Sequence, residues 1–223
     1  MRGGWKIRLI KLDDWSNFVS NKIGNILMLD RKQREVISYG VSVLISNILG
    51  LAGVLLIAYI FGVLIPTLAI LIVLLILRPN AGGAHCSSSF NCNLFGYAFI
   101  PLFGFIAFWL SRYSPFTKNI CLTICSIAGI TWLTLKAPYF FQSKPRAEAR
   151  NKKLKTRAIT LAISFFFAAL IFRVFSKDEW AMGIAVGLLF QGFMLSSLGI
   201  KVIQSLDKIV NRTILLKKGG EIK

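Results

Sequence analysis

The side chains able to do chemistry gather in one short stretch, Arg78-Pro-Asn-Ala-Gly-Gly-Ala-His-Cys-Ser-Ser-Ser-Phe-Asn-Cys92. It holds the single histidine, His85, and two of the four cysteines, Cys86 and Cys92. An imidazolium beside a thiol keeps the nucleophilic thiolate populated, so this is the composition of a thiol nucleophile with its base. Spacing alone leaves both cysteines open as the partner of His85. Cys86 is its immediate neighbour, and adjacent side chains on a helix diverge by about 100°. Cys92 returns to nearly the same face but about 10 Å further along the axis, too far for a hydrogen bond in a straight helix. A Cys92–His85 pair therefore requires a bent segment, for which Gly82, Gly83 and the Ser87-Ser88-Ser89 run supply backbone freedom. The same backbone could offer N–H groups to an oxyanion. No Asp or Glu lies between Glu35 and Glu148, so the block by itself supplies a dyad and no orienting carboxylate.

The elements that must position this stretch are membrane spans. Hydrophobic residues make up 55% of the 223 positions, and the mean hydropathy is +0.65, more than a soluble surface tolerates. No charge occurs from Val36 to Leu77, room for two helices of about 20 residues each. We read an all-α, polytopic protein with six spans, near 37–59, 61–77, 94–111, 119–136, 158–175 and 180–200. Gly62 and Pro66 mark the first turn. The N-terminus has no apolar core before residue 36, so the chain is expected to insert through its own spans and keep that segment.

Charge orients the bundle. Lys and Arg number 27 against 9 acids, a net charge of +18. Eight of the basic residues precede Val36, eight fall between Lys136 and Arg157, and six follow from Lys201, while the other connections carry few. Basic residues collect on the cytoplasmic side. Six spans with both termini in the cytosol satisfy that rule and place the His/Cys stretch there too, where thiols stay reduced. The positive charge then reads as orientation, with no nucleic-acid partner. Residues 5–34 alternate tryptophan and aliphatic positions with Lys, Arg and Asp at helical spacing, which suits an amphipathic helix at the headgroup level. The chain accordingly divides into an interfacial segment 1–35, a core 36–200 and a basic tail 201–223.

Several chemistries are excluded. One histidine without a nearby carboxylate cannot build a three-ligand zinc site, and a phosphatidyltransferase lacks its clustered aspartates. The span interiors carry no acids, against a proton-coupled transporter. Cys121 and Cys125 lie in an apolar run and read as packing residues. An exporter of peptides without proteolytic activity is the rival reading.

The block Arg78, Gly82, Gly83, His85, Ser88 and Cys92 resembles the signature of the accessory gene regulator B (AgrB) family, polytopic cysteine endopeptidases of Gram-positive quorum sensing. Tyr39-Gly40, Lys136-Ala137-Pro138 and Lys144-Pro145 extend the likeness over about residues 30–200. The resemblance implies Cys92 as nucleophile and His85 as its partner, without a cofactor. The implied substrate is a small AgrD-like propeptide, an amphipathic helix with an acidic tail. It would be cleaved through a thioester and closed into a thiolactone or lactone ring. Arg78, Gly82, Gly83, Ser88, Lys144 and Arg146 are then expected to bind substrate, with Lys152, Lys153 and Lys155 adding charge, in a homodimer of the cell membrane. Cys86 departs from the family pattern and places a second thiol beside the base.

Overall fold

The computed structural model describes residues 18–19, 21–23, 30–84, 86–140 and 148–219, leaving out the side chains of Ser89, Phe140 and 213–219. His85, Lys144 and Arg146 lie outside the described residues. So does most of the expected interfacial helix, of which residues 18–19 and 21–23 are helical.

The described residues form seven main helices: α1 (Arg31–Ile60), α2 (Leu64–Ala81), α3 (Ser89–Leu110), α4 (Pro115–Lys136), α5 (Glu148–Val174), α6 (Asp178–Leu195) and α7 (Ser197–Gly219). Five of them are long and apolar enough to cross a bilayer, and α6 with α7 makes a sixth, bent candidate. The protein is thus a polytopic membrane protein. Two compact units divide within α1, between Ala52 and Gly53. In the first, Asp30 caps α1: its carboxylate accepts from Gln33 N at 2.7 Å while Gln33 Oε1 accepts from Asp30 N at 3.1 Å. This reciprocal capping box starts the helix six residues before the first expected span.

The second unit is built around α6. Its alanines, glycines and aliphatic residues are buried along most of its length, against α2, α3, α4 and α5. At about 1.5 Å per residue its 18 residues span about 27 Å, close to the hydrocarbon thickness. Without a hydrophobic drive between helices in lipid, close packing of small residues must hold such a bundle. Gly183 and Gly187 do this against α2, where a Cβ on Gly183 would lie 2.7 Å from the Pro66 carbonyl oxygen. Gly129 of α4 meets the Leu188 backbone, leaving 2.4 Å for a Cβ.

The expected sixth span, 180–200, is broken. α6 ends at Leu195, and α7 departs at 75°. Ser196 makes the corner: its hydroxyl donates to Phe193 O at 2.7 Å and accepts from Gly199 N at 2.9 Å. At one end of the bundle, charged side chains tie the α3–α4 and α5–α6 connections together. Arg112 pairs with Glu179 at 3.0 Å, and Lys118 and Arg173 share Asp178. The His/Cys stretch lies at the other end.

Candidate active site

α2 carries Arg78 in its last turn and stops at Ala81. The next two residues form a short strand, β1 (Gly82–Gly83), paired in parallel with β2 (Tyr139–Phe140) just beyond α4. Gly82 has φ +76°, and a Cβ there would fall 1.9 Å from Tyr139 O. Only glycine allows that approach. Gly82 O accepts from the buried Gln191 Nε2 at 2.9 Å, and Ala84 N donates to Met194 O at 3.1 Å. The strand is therefore stitched on one side to β2 and on the other to the end of α6, each buried polar group finding a partner. The chain between α2 and α3 is thus not one straight helix.

α3 begins five residues earlier than the sequence suggested. Ser88 is its N-cap, its Oγ accepting from Asn91 N at 3.2 Å. This satisfies one of the four orphan N–H groups of the first turn, and it occupies Ser88, an expected substrate contact, with helix initiation. Cys92 consequently sits in the first turn, its N–H bonded to Ser88 O at 3.1 Å. A helix N-terminus favours negative charge.

Two side chains act on the Cys92 sulfur. Arg78 hydrogen-bonds to it and also donates through Nη2 to Ala84 O at 3.0 Å. Cys86, half-buried, is the second hydrogen-bond partner of that sulfur. That bond, and burial after it, hold the Cys86 thiol well above the ordinary thiol range, so Cys86 stays protonated and donates. Of the two candidate nucleophiles, Cys92 is the one with a cation and a thiol donor directed at its sulfur. A cleft of about 60 Å³ opens beside them, floored by Phe95, Phe190 and Met194 and rimmed by Ala84 and Gln191. Its lining is mostly apolar, with Arg78, Gln191, Cys86 and Cys92 as its polar or reactive side chains.

A further contact was not legible in the block. Asp207 of α7 accepts from Ser87 N at 3.1 Å and from Asn91 Nδ2 at 2.6 Å. Asn211, one turn on, accepts from Asn91 at 3.0 Å and donates to Ser87 Oγ at 3.0 Å. The signal available was two i,i+4 polar pairs, Ser87/Asn91 and Asp207/Asn211, with Asp207 an acid in a basic tail. A second hollow, of about 430 Å³, lies where Pro138 meets the start of α5 and is lined by Glu148, Ala149, Asn151, Lys152 and Lys155.

A polytopic membrane protein with a cysteine held this way at the end of its bundle belongs to a narrow class. The family profile described as Accessory gene regulator B matches residues 16–195. The chain belongs to that family, whose members are quorum-sensing membrane proteins that process autoinducer propeptides. It is 26% identical to a putative AgrB-like protein of Clostridium perfringens, over 91% of this chain and all of that one. With the accessory gene regulator protein B of Staphylococcus aureus it shares 27% over 83% of this chain and 91% of the relative. With protein FsrB of Enterococcus faecalis the identity is 25%, over 89% and 78%. No solved structure matches the chain.

Proposed function

We propose that this chain is a membrane-embedded cysteine endopeptidase with Cys92 as nucleophile and His85 as general base. The observation that carries the reading is the placement of Cys92 in the first turn of α3, facing a cleft, with Arg78 and Cys86 hydrogen-bonded to its sulfur. His85 enters through its place in the Gly-Gly-His-Ser-Cys pattern.

The Cys92 thiol gives its proton to His85 and attacks the carbonyl at the C-terminal end of the signal section. The C–N bond breaks, His85 protonates the leaving amine, and the tail departs, leaving a thioester on Cys92. A cysteine or serine side chain of the retained peptide then attacks the thioester carbonyl. The C–S bond breaks, the ring closes and the Cys92 thiol is restored. The thioester keeps the acyl group activated, so closure needs no further energy input, and an apolar cleft floor that excludes water favours closure over hydrolysis.

The substrate is a small AgrD-like propeptide. Its acidic tail would meet Lys152 and Lys155 in the hollow they share with Glu148, with Lys144 and Arg146 on the adjoining segment. Arg78, Gly82 and Gly83 border the scissile bond. The active site faces the cytosol, and the enzyme acts as a homodimer. The test is co-expression of the chain with a propeptide of this class, with products read by mass spectrometry. Wild type releases the tail, and Cys92→Ala and His85→Ala release none. Cleavage retained in Cys92→Ala but lost in Cys86→Ala would reverse the assignment.

A further inference from the structure

The last helix reaches back to the site. α7 begins beyond the stretch that matches the family profile, which ends at residue 195, yet its Asp207 and Asn211 make four hydrogen bonds to Ser87 and Asn91. Asn91 is 1% exposed and directly precedes Cys92. Its amide nitrogen donates to both Asp207 and Asn211, and its Oδ1 has no partner among the described residues. The other acids of the second unit with contacts, Asp178 and Glu179, are paired with Arg173, Lys118 and Arg112 at the far end. Among the described residues, Asp207 is thus the one carboxylate hydrogen-bonded to the loop that leads into Cys92.

The chemistry of this contact is unlike that of ordinary helix packing. A carboxylate accepting from a backbone N–H and a buried amide makes charge-assisted bonds, about twice as strong as neutral ones. They fix both ends of the turn Ser87–Asn91, on which Ser88 caps α3. With β1 stitched to α6 on one side and this turn clamped by α7 on the other, the two approaches to Cys92 are held by different helices.

We propose that Asp207, assisted by Asn211, is a positioning residue for Cys92: it clamps the Ser87–Asn91 turn so that the thiol faces the cleft. This rests on the reading of Cys92 as nucleophile. The clamp touches no substrate and acts only through the loop. A misplacement of about 1 Å in a reacting group is enough to cost about a hundredfold in rate.

The experiment uses the full chain in detergent, with two readouts. Iodoacetamide labelling followed by peptide mapping gives separate alkylation rates for Cys92, Cys121 and Cys125, without any propeptide. Asp207→Asn puts an amide donor where the donors of Ser87 and Asn91 need an acceptor. It is expected to speed Cys92 labelling at least about fivefold as the turn opens, with Cys121 and Cys125 within about twofold. Propeptide cleavage should lose at least about tenfold in kcat with KM within about twofold, and Asp207→Glu should restore part of both. Unchanged Cys92 labelling, or all three cysteines accelerating together, overturns the proposal, the second because it marks general loosening. If Asp207→Asn does not accumulate, Asn211→Ala removes the outer bonds alone. It should speed Cys92 labelling about twofold or more, and no change there overturns the clamp. Should Cys92→Ala still cleave, the peptidase reading fails while the labelling arm continues to decide the clamp.

Discussion

Replacing Gly82 with alanine should separate backbone geometry from side-chain chemistry at the site. The backbone there has φ +76° and ψ −151°, a region open in practice to glycine alone and costing other residues about 1–3 kcal/mol. The new Cβ would meet Tyr139 O at 1.9 Å, and ordinary contact begins at 3.4 Å, so one strand must retreat by about 1.5 Å. β2 cannot take up this movement freely, since it follows α4 after only Ala137 and Pro138. The retreat falls instead on β1, and with it on the Gln191 and Met194 bonds that hold the entry to the Cys92 turn. A displacement of this size predicts a fall of about a hundredfold or more in the rate of tail release, with substrate affinity less affected. The assay is a time course of propeptide cleavage by mass spectrometry, normalised to folded enzyme. Gly40→Ala is the control, because its Cβ meets nothing within 4 Å. Gly82→Ala activity within threefold of wild type would refute the claim that the β1–β2 contact sets the site.

Other predictions follow from the same geometry. Arg78→Lys keeps the charge but loses the fork that spans Ala84 O and the Cys92 sulfur, and should lower kcat about tenfold or more, measured in the same time course. On the proposed assignment, Cys86→Ala removes a donor and leaves Cys92 in place, so at least about a tenth of the cleavage rate should survive, whereas Cys92→Ala should leave none. Because its pKa is raised, Cys86 carries less thiolate than an ordinary thiol at any given pH. Its iodoacetamide labelling should therefore stay slow beyond pH 9, and a labelling midpoint at or below the usual thiol range contradicts the bond to Cys92. Gly129→Ala forces a Cβ to within 2.4 Å of the Leu188 backbone and should cost about 1–3 kcal/mol, read as a lower Tm in detergent.

Much of the architecture was legible because apolar runs are long and unambiguous: α1 and α4 contain their expected spans, and α2 and α5 match theirs to within three residues at one end. The boundaries that shifted did so for local reasons. The polar first turn of α3, with Asn91 and Asn93, dilutes hydropathy, so the span appeared to begin at 94 although Ser88 caps the helix. Ser196 and Gly199 turn the chain inside a stretch still apolar enough to pass for a continuous span. α6 illustrates a different limit. It is the most enclosed helix, yet it carries the buried Gln191, because helices rather than lipid surround it; Asp178 and Glu179 stand in its first turn at the end of the bundle. At the site, the Gly-Gly bend was readable from residue types. The clamp was not, since Ser87 and Asp207 are 120 positions apart and nothing in either neighbourhood names the other.

That separation also sets an order of events during synthesis. Chains grow from the N-terminus at about 5–20 residues per second, so the Ser87 turn waits roughly 6–24 s for its partner on α7 to be made. Through that interval α3, α4, α5 and α6 are made, and the contacts of β1 with Gln191 and Met194 form only near its end. A chain cut short after α6 would keep the helices packed around α6 but lose the Asp207 and Asn211 bonds that hold the Ser87–Asn91 turn.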